Sequence, residues 1–292
     1  MKRSIVFVLL LMLSVPMLAC ASGTPVEASM VITGTITVNP DGSVRGYALD
    51  KENALPPYVL QIVQKTVPHW EFMPIKTDGK AVTAKTGMSL RIVADMTDAK
   101  HATIRVAGAE FGCDAYASRS LPGECPPGAE VLPGKRTPPE YPVEAERMGV
   151  SGEVFLVLQV GRDGRVTQAA VRQVNLYRLT DDRAPLRREL AYASLKAARN
   201  WRFKVPTVGP EAAKQHWIVQ VPVNYTLRGS KSPGYGAWRA YVPGPVQVIP
   251  WSDDDATKAS HGSADAVARD ATFVKDNRFV LKTQFTESTG RS

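Results

Sequence analysis

The chain has 292 residues, 44% of them apolar or aromatic, and a formal net charge of +8. Lys2 and Arg3 supply part of that charge, and the other basic residues are scattered with no long Lys/Arg run, which argues for a solvated surface and against a nucleic-acid-binding patch. The densest basic group, Arg183, Arg187, Arg188, Lys196 and Arg199, lies partly along one side of a predicted helix and reads as a solvated face.

Taken in order, Lys2 and Arg3 precede an apolar stretch, Ile5–Leu18. That stretch is shorter than the roughly 20 residues a spanning helix needs. Ala19-Cys20-Ala21 offers a small-x-small cleavage site, so residues 1–21 read as a secretory signal peptide, with a short uncleaved anchor as the alternative. Met17-Leu18-Ala19-Cys20 also resembles a bacterial lipoprotein box. That resemblance implies lipidation at Cys20, and cleavage after Ala21 competes with it. Either reading places the mature chain outside the cytoplasm.

The body of the chain repeats itself. Gly34–Val44 is an alternating apolar run that reaches Asp-Gly and restarts with Val, and Gly152–Val166 does the same. Each run is followed by an aromatic pair, Trp70 and Phe72 in the first copy and Trp201 and Phe203 in the second. Each copy then ends in another alternating strand, Met88–Val93 and Trp217–Leu227. A repeat on this scale predicts one folded unit used twice. The boundaries are 28–100 for a degenerate first domain, 101–136 for a linker, 137–229 for a second domain and 230–292 for an irregular C-terminal tail.

In the first copy Pro57–Val67 reads as a helix, with Val59, Ile62, Val63 and Thr66 in register and Pro68 at its end. Asp78-Gly79 supplies a turn. In the linker, Cys113 and Cys125 flank a Gly/Pro/Ser-rich stretch; outside the cytoplasm a disulfide between them is the default reading.

The second copy is cleaner. Pro138–Pro142 is an extended lead-in. Val143–Met148 forms one or two helical turns stopped by Gly149. Gly152–Val160 and Arg165–Asn175 form a hairpin around Asp163-Gly164. Leu176–Pro185 is a polar loop. Leu186–Asn200 is a helix whose apolar face carries Leu186, Leu190, Ala193, Ala197 and Trp201. His216–Leu227 is the last strand. The fold class is α+β: two tandem small domains, each a three-stranded antiparallel sheet with a helix packed on one face. Trp70, Phe72, Trp201 and Phe203 are expected core anchors. In the tail, Val246–Trp251 and Phe273–Phe285 read as short strands.

These residues carry a resemblance. Tyr141-Pro142, Ala145, Gly149, Gly152, Asp163-Gly164, Trp201, Phe203 and the run Val221–Tyr225, in that order, resemble the C-terminal domain of the TonB energy-transducer family over about 138–227. Residues 34–94 are similar more weakly. The resemblance implies a periplasmic domain that binds a short motif of an outer-membrane transporter by adding a strand to its sheet. It implies that the last strand is the open edge, with Trp217, Val219, Val221, Val223 and Tyr225 as partner-binding positions. Pro222 fits that reading, because a proline in a strand marks an edge or a bulge. The chain departs from the family's transducers in lacking a full-length N-terminal membrane helix, the Ser/His pair of that helix and a long Pro-rich spacer.

Enzyme chemistry has no foothold in the sequence. His69, His101, His216 and His261 form no metal-spaced pair, and no Gly-x-Ser-x-Gly, Walker loop or His-Glu-x-x-His occurs. Asp253-Asp254-Asp255 reads as solvated carboxylates. The expectation is a non-enzymatic cell-envelope binding module without a cofactor. Its partner is an envelope protein such as a TonB-dependent outer-membrane transporter, and its sheet edges allow self-association. An energy-transducing component of TonB-dependent transport is the alternative.

Overall fold

The computed structural model describes residues 27–96, 102–114, 128, 130–177, 184–230, 234–252, 264–269, 271–275 and 278–285. The predicted signal segment and Cys20 lie outside them, as do Cys125 and Asp253–Asp255. The predicted disulfide therefore also falls outside the described residues.

The first half is built on a long strand, β1 (Glu27–Val38), in which Met30, Ile32, Ile36 and Val38 alternate into a core. Asn39–Ser43 turns the chain into β2 (Val44–Leu49), with Gly42 at φ +94°. Helix α1 (Pro57–Thr66) starts with proline in its first turn, where the missing N–H costs nothing. It buries Val59 and Val63 on that core. A small hairpin, β3 (Lys76–Thr77) and β4 (Lys80–Ala81), turns at Asp78 and Gly79. Strand β5 (Ala84–Met96) then pairs along β1 from Ala28↔Ala94 to Val38↔Ala84.

The next element corrects the sequence reading. Residues assigned to the linker form β6 (Ala102–Asp114), which pairs with β5 from Met96↔Ala102 to Met88↔Phe111. The alternation in this segment is hidden by a bulge: Arg91 faces Gly108 and Ile92 faces Val106, leaving Ala107 unpaired. An extra residue moves every later side chain to the opposite parity. Ile104 and Val106 are thus in one register, and Ala109 and Phe111 in the other, although all four pack on the same core.

The second half follows with β7 (Leu132–Pro133), α2 (Val143–Arg147), β8 (Ser151–Gly161), β9 (Val166–Tyr177), α3 (Ala184–Ala198), β10 (Phe203–Lys204) and β11 (His216–Tyr225). Gly149 ends α2 at φ +67°. The buried face of α3 is Leu186, Leu190, Ser194 and Ala198; Ala193 and Ala197 sit at its margin. Arg187 is buried on the same helix, not solvated as expected; it donates to the carbonyls of Val242 at 3.1 Å and Pro243 at 3.2 Å.

The two halves share a local contact. The Phe72 N–H donates to the Gly42 carbonyl at 2.8 Å, and the Phe203 N–H donates to the Gly164 carbonyl at 2.9 Å. In each turn an aspartate side chain accepts the N–H two residues on, Ser43 on Asp41 at 2.9 Å and Arg165 on Asp163 at 3.0 Å. Trp70, Phe72, Trp201 and Phe203 are all buried, the first pair in one cluster and the second pair in another. Each fully buried large apolar side chain is worth about 1.5–3 kcal/mol relative to exposure.

The tail is less irregular than the sequence suggested. It contributes β12 (Arg239–Val242) and β13 (Phe273–Lys275) to the main sheet, while Val246–Trp251 is not a strand. The expected pair of separate three-stranded sheets is replaced by one nine-stranded antiparallel sheet in the order β12-β9-β8-β11-β13-β6-β5-β1-β2. β12 also pairs with β1, Glu27↔Tyr241 through Ser29↔Arg239, so the pairing closes into a ring and leaves β2 as a side strand. The helix-covered cores lie on one face of this sheet. The other face carries Ser89 and Arg91 of β5, Glu153 and Phe155 of β8, Gln173 and Asn175 of β9, and Tyr241 of β12.

Candidate functional site

Strand β11 is the element the sequence singled out. Trp217, Val219, Val221, Val223 and Tyr225 alternate into the second core and are all buried. They hold α3 rather than offering side chains to a partner. Tyr225 shows how: its hydroxyl lies 2.8 Å from the Ser194 Oγ and donates to the Leu190 carbonyl at 3.1 Å, and its ring meets Tyr141 edge-on at 5.4 Å. Burial, opposed in part by the Ser194 hydrogen bond, pushes the phenol up to about 12.

The backbone of β11 is paired with β8 throughout, from His216↔Gly161 to Tyr225↔Gly152. It is not the open edge that was expected. On its other side Gln220 pairs with Phe273, because the tail inserts β13 between β11 and β6. That second edge is thinly covered: Gln220 is its one paired position among the described residues. Pro222, read as an edge marker, pairs with Phe155 inside the sheet.

The tail also organises a polar cluster that no motif announced. Asp265 sits in a short 3-10 turn, Ala264–Ala266, and is buried. Its carboxylate accepts from the Tyr241 hydroxyl at 2.8 Å and from Asn175 Nδ2 at 3.2 Å, and lies 3.1 Å from Arg91 Nε. Arg91 also pairs with Glu27, and the Ser89 hydroxyl donates to the Ala266 carbonyl. One carboxylate thus ties β5, β9 and β12 together across the ring. Nearby, the Tyr177 hydroxyl donates to Glu153, and the Arg239 guanidinium stacks 4.4 Å over the Tyr177 ring. Glu110 of β6 is buried 3.7 Å from Lys275 of β13; desolvation pushes its carboxyl up, against the pull of Lys275.

Asp265, Tyr241, Asn175, Tyr177, Glu153 and Arg239 border a cavity of about 710 Å³ between the sheet and the tail, with Val31, Phe155 and Val267 among its apolar walls. Asp265 is saturated by its own network, which makes the cluster a tie between segments rather than a reactive centre. Among the described residues no group of three or more His, Cys, Asp or Glu is placed to hold a metal ion. No helix there is long and apolar enough to cross a membrane.

Buried tyrosines make the fold sensitive to alkali. Desolvation raises Tyr177 and Tyr241, each reinforced by a neighbouring carboxylate, and raises Tyr141 and Tyr225. Unfolded tyrosines ionise near 10. Above that pH the unfolded chain loses protons that the folded chain retains, so stability present below pH 10 declines as the pH rises through about 12, the value for Tyr225. In a spectrophotometric titration, part of the tyrosinate absorbance should appear only together with loss of the far-UV circular dichroism; full ionisation with the fold intact would contradict this.

Residues 137–227 match the family described as the Gram-negative bacterial TonB protein C-terminal. Residues 137–227 form a TonB C-terminal domain. Two curated relatives, each named Protein TonB, come from strain B100 and a second strain of Xanthomonas campestris pv. campestris. Each is 38% identical over 90 residues, covering 31% of this chain and 35% of the relative. The TonB match contains α2, β8, β9, α3 and β11 but ends before the tail, so β12, β13 and the Asp265 turn lie outside the matched domain.

Proposed function

We propose that this protein is a non-enzymatic binding module of the TonB-like class in a Gram-negative cell envelope, and that it engages an envelope protein by strand addition at β11. The observation that carries the reading is the asymmetry of β11. It is paired with β8 over its whole length, yet joined to β13 at Gln220 alone. Backbone groups along a strand give such additions their affinity and register. The partner's strand enters where β13 now lies, so the chain's own tail competes with it. An outer-membrane transporter is the partner that the TonB resemblance implies. An energy-transducing role is the second reading, favoured by the name of the curated relatives. The rest of the proposal is a duplicated TonB-like domain at 28–100, a Cys113–Cys125 disulfide, secretion by residues 1–21 with lipidation at Cys20, and self-association through sheet edges.

A photo-crosslinking residue at Gln220 tests the binding mode in intact envelopes, with the same residue at the exposed Gln168 as control. The expected result is an envelope-protein adduct specific to Gln220, and a several-fold increase when Phe273→Asp weakens the hold of β13. Identical adducts at both positions, or no response to Phe273→Asp, would sink the strand-addition reading.

A further inference from the structure

A second strand of this protein has an outer edge that is bare among the described residues. β2 ends the sheet order and pairs only with β1. Its inward groups are identified by the Asp50 N–H, which donates to the Thr33 carbonyl at 2.9 Å, and by the Ala48 carbonyl, which faces Gly34. Backbone direction alternates along a strand, so the N–H and C=O of Tyr47 and Leu49 point outward.

Beside that edge, between β2 and α1, lies a cavity of about 170 Å³ lined by Tyr47, Ala48, Leu49, Glu52, Leu60 and Gln64. Its lining mixes the apolar Leu49 and Leu60 with the polar Tyr47, Glu52 and Gln64, and Glu52 is exposed at its rim. Tyr47 and Glu52 both line this cavity; burial, and then the charge of Glu52, push the Tyr47 phenol up. Neither the Tyr47 hydroxyl, the Glu52 carboxylate nor the Gln64 amide has a hydrogen-bond or ion-pair partner among the described residues. The polar groups around Asp265, in contrast, are tied to one another.

The corresponding strand of the second half shows what such an edge accepts. β9, like β2, is the return strand of an Asp-Gly hairpin, and the chain's own residues 241–247 run along its outer side. Tyr241 and Val242 pair with Tyr177 and Leu176, and the Gln247 N–H donates to the Arg172 carbonyl at 2.7 Å. No described segment does this for β2.

We infer that the β2 edge and the adjoining α1 cavity form a docking groove for an extended peptide of a partner protein, which adds to β2 and places a lysine or arginine side chain into the cavity. The aliphatic stem lies between Tyr47 and Leu60 and the cationic tip reaches Glu52, a division that suits long basic side chains. This groove is independent of β11 and lies outside residues 137–227.

The test uses the full chain, isotope-labelled, and two blocked pentapeptides, Thr-Val-Arg-Val-Thr and Thr-Val-Glu-Val-Thr. The arginine peptide is expected to shift amide resonances of residues 45–52 and 60–64, and the glutamate peptide is not. Glu52→Lys, an exposed change, should weaken the arginine peptide about fivefold, the scale of one well-placed charge pair. Tyr47→Pro, which removes an outward N–H, should abolish binding while leaving the α3 and β11 resonances in place. Equal binding of both peptides, no shift in β2, or an unchanged affinity in Glu52→Lys overturns the groove. Concentration-dependent shifts of β2 without peptide also overturn it, in favour of a second copy pairing there. Shifts confined to residues 216–225 overturn it and speak instead for the β11 reading.

Discussion

Replacing Asp265 by Ala is expected to cost about 3 kcal/mol of folding stability, the lower end of the range for breaking a buried ion pair from one side. The carboxylate accepts from Tyr241 and Asn175 and balances Arg91, and its side chain is 6% exposed. Removing it leaves a buried guanidinium balanced by Glu27 alone and takes the acceptor from Asn175 Nδ2, while the Tyr241 hydroxyl keeps only Glu27 to donate to. Asp265→Asn keeps an acceptor but no charge, so it should fall between wild type and Ala. Because Arg91 is on β5, Asn175 on β9 and Tyr241 on β12, the damage should be shared by both halves. Urea denaturation measures the loss. Hydrogen exchange should show early opening of β12 and β13, before β1 and β8. A cost below about 1 kcal/mol would mean that the network is not what ties the tail to the sheet.

The second large effect is steric. A Cβ on Gly164 would lie 2.1 Å from the Phe203 carbonyl oxygen, and one on Gly42 would lie 2.1 Å from that of Phe72. Both glycines also have positive φ, +74° and +94°. Gly164→Ala and Gly42→Ala are each expected to destabilise by about 2–4 kcal/mol, combining left-handed strain with forced separation of the turn from the aromatic segment. Gly79→Ala is the control. It has φ +77° but nothing within 4 Å of its Cβ, so it should cost only about 1 kcal/mol. Equal losses at all of these positions in thermal unfolding would show that backbone strain, and not the close approach, sets the requirement for glycine.

These two glycines also mark what could be read in advance. Asp-Gly at the end of an alternating run, and an aromatic pair downstream, were visible in both copies, and the contact between them explains why the pattern recurs. α1, α3, β8 and β11 were legible because their apolar periods are long and unbroken. β6 was not, since the bulge at Ala107 shifts its period midway. Arg187 looked like part of a solvated basic face because its charge said nothing about the carbonyls of Val242 and Pro243, which arrive from the tail. β11 was correctly seen as a strand, but its neighbour was invisible: Phe273 is far away in the chain, and a three-residue strand has no period to detect.

Local order, the TonB resemblance of the second half and the identity of the core anchors were therefore determined by the sequence alone, because they depend on near-neighbour periodicity and turn chemistry. Closure of the strands into a ring, the Asp265 network and the covering of β11 were decided only by the tertiary structure. They rest on single pairings between segments distant in the chain, where backbone hydrogen bonds and one buried carboxylate matter more than any repeating pattern of side chains.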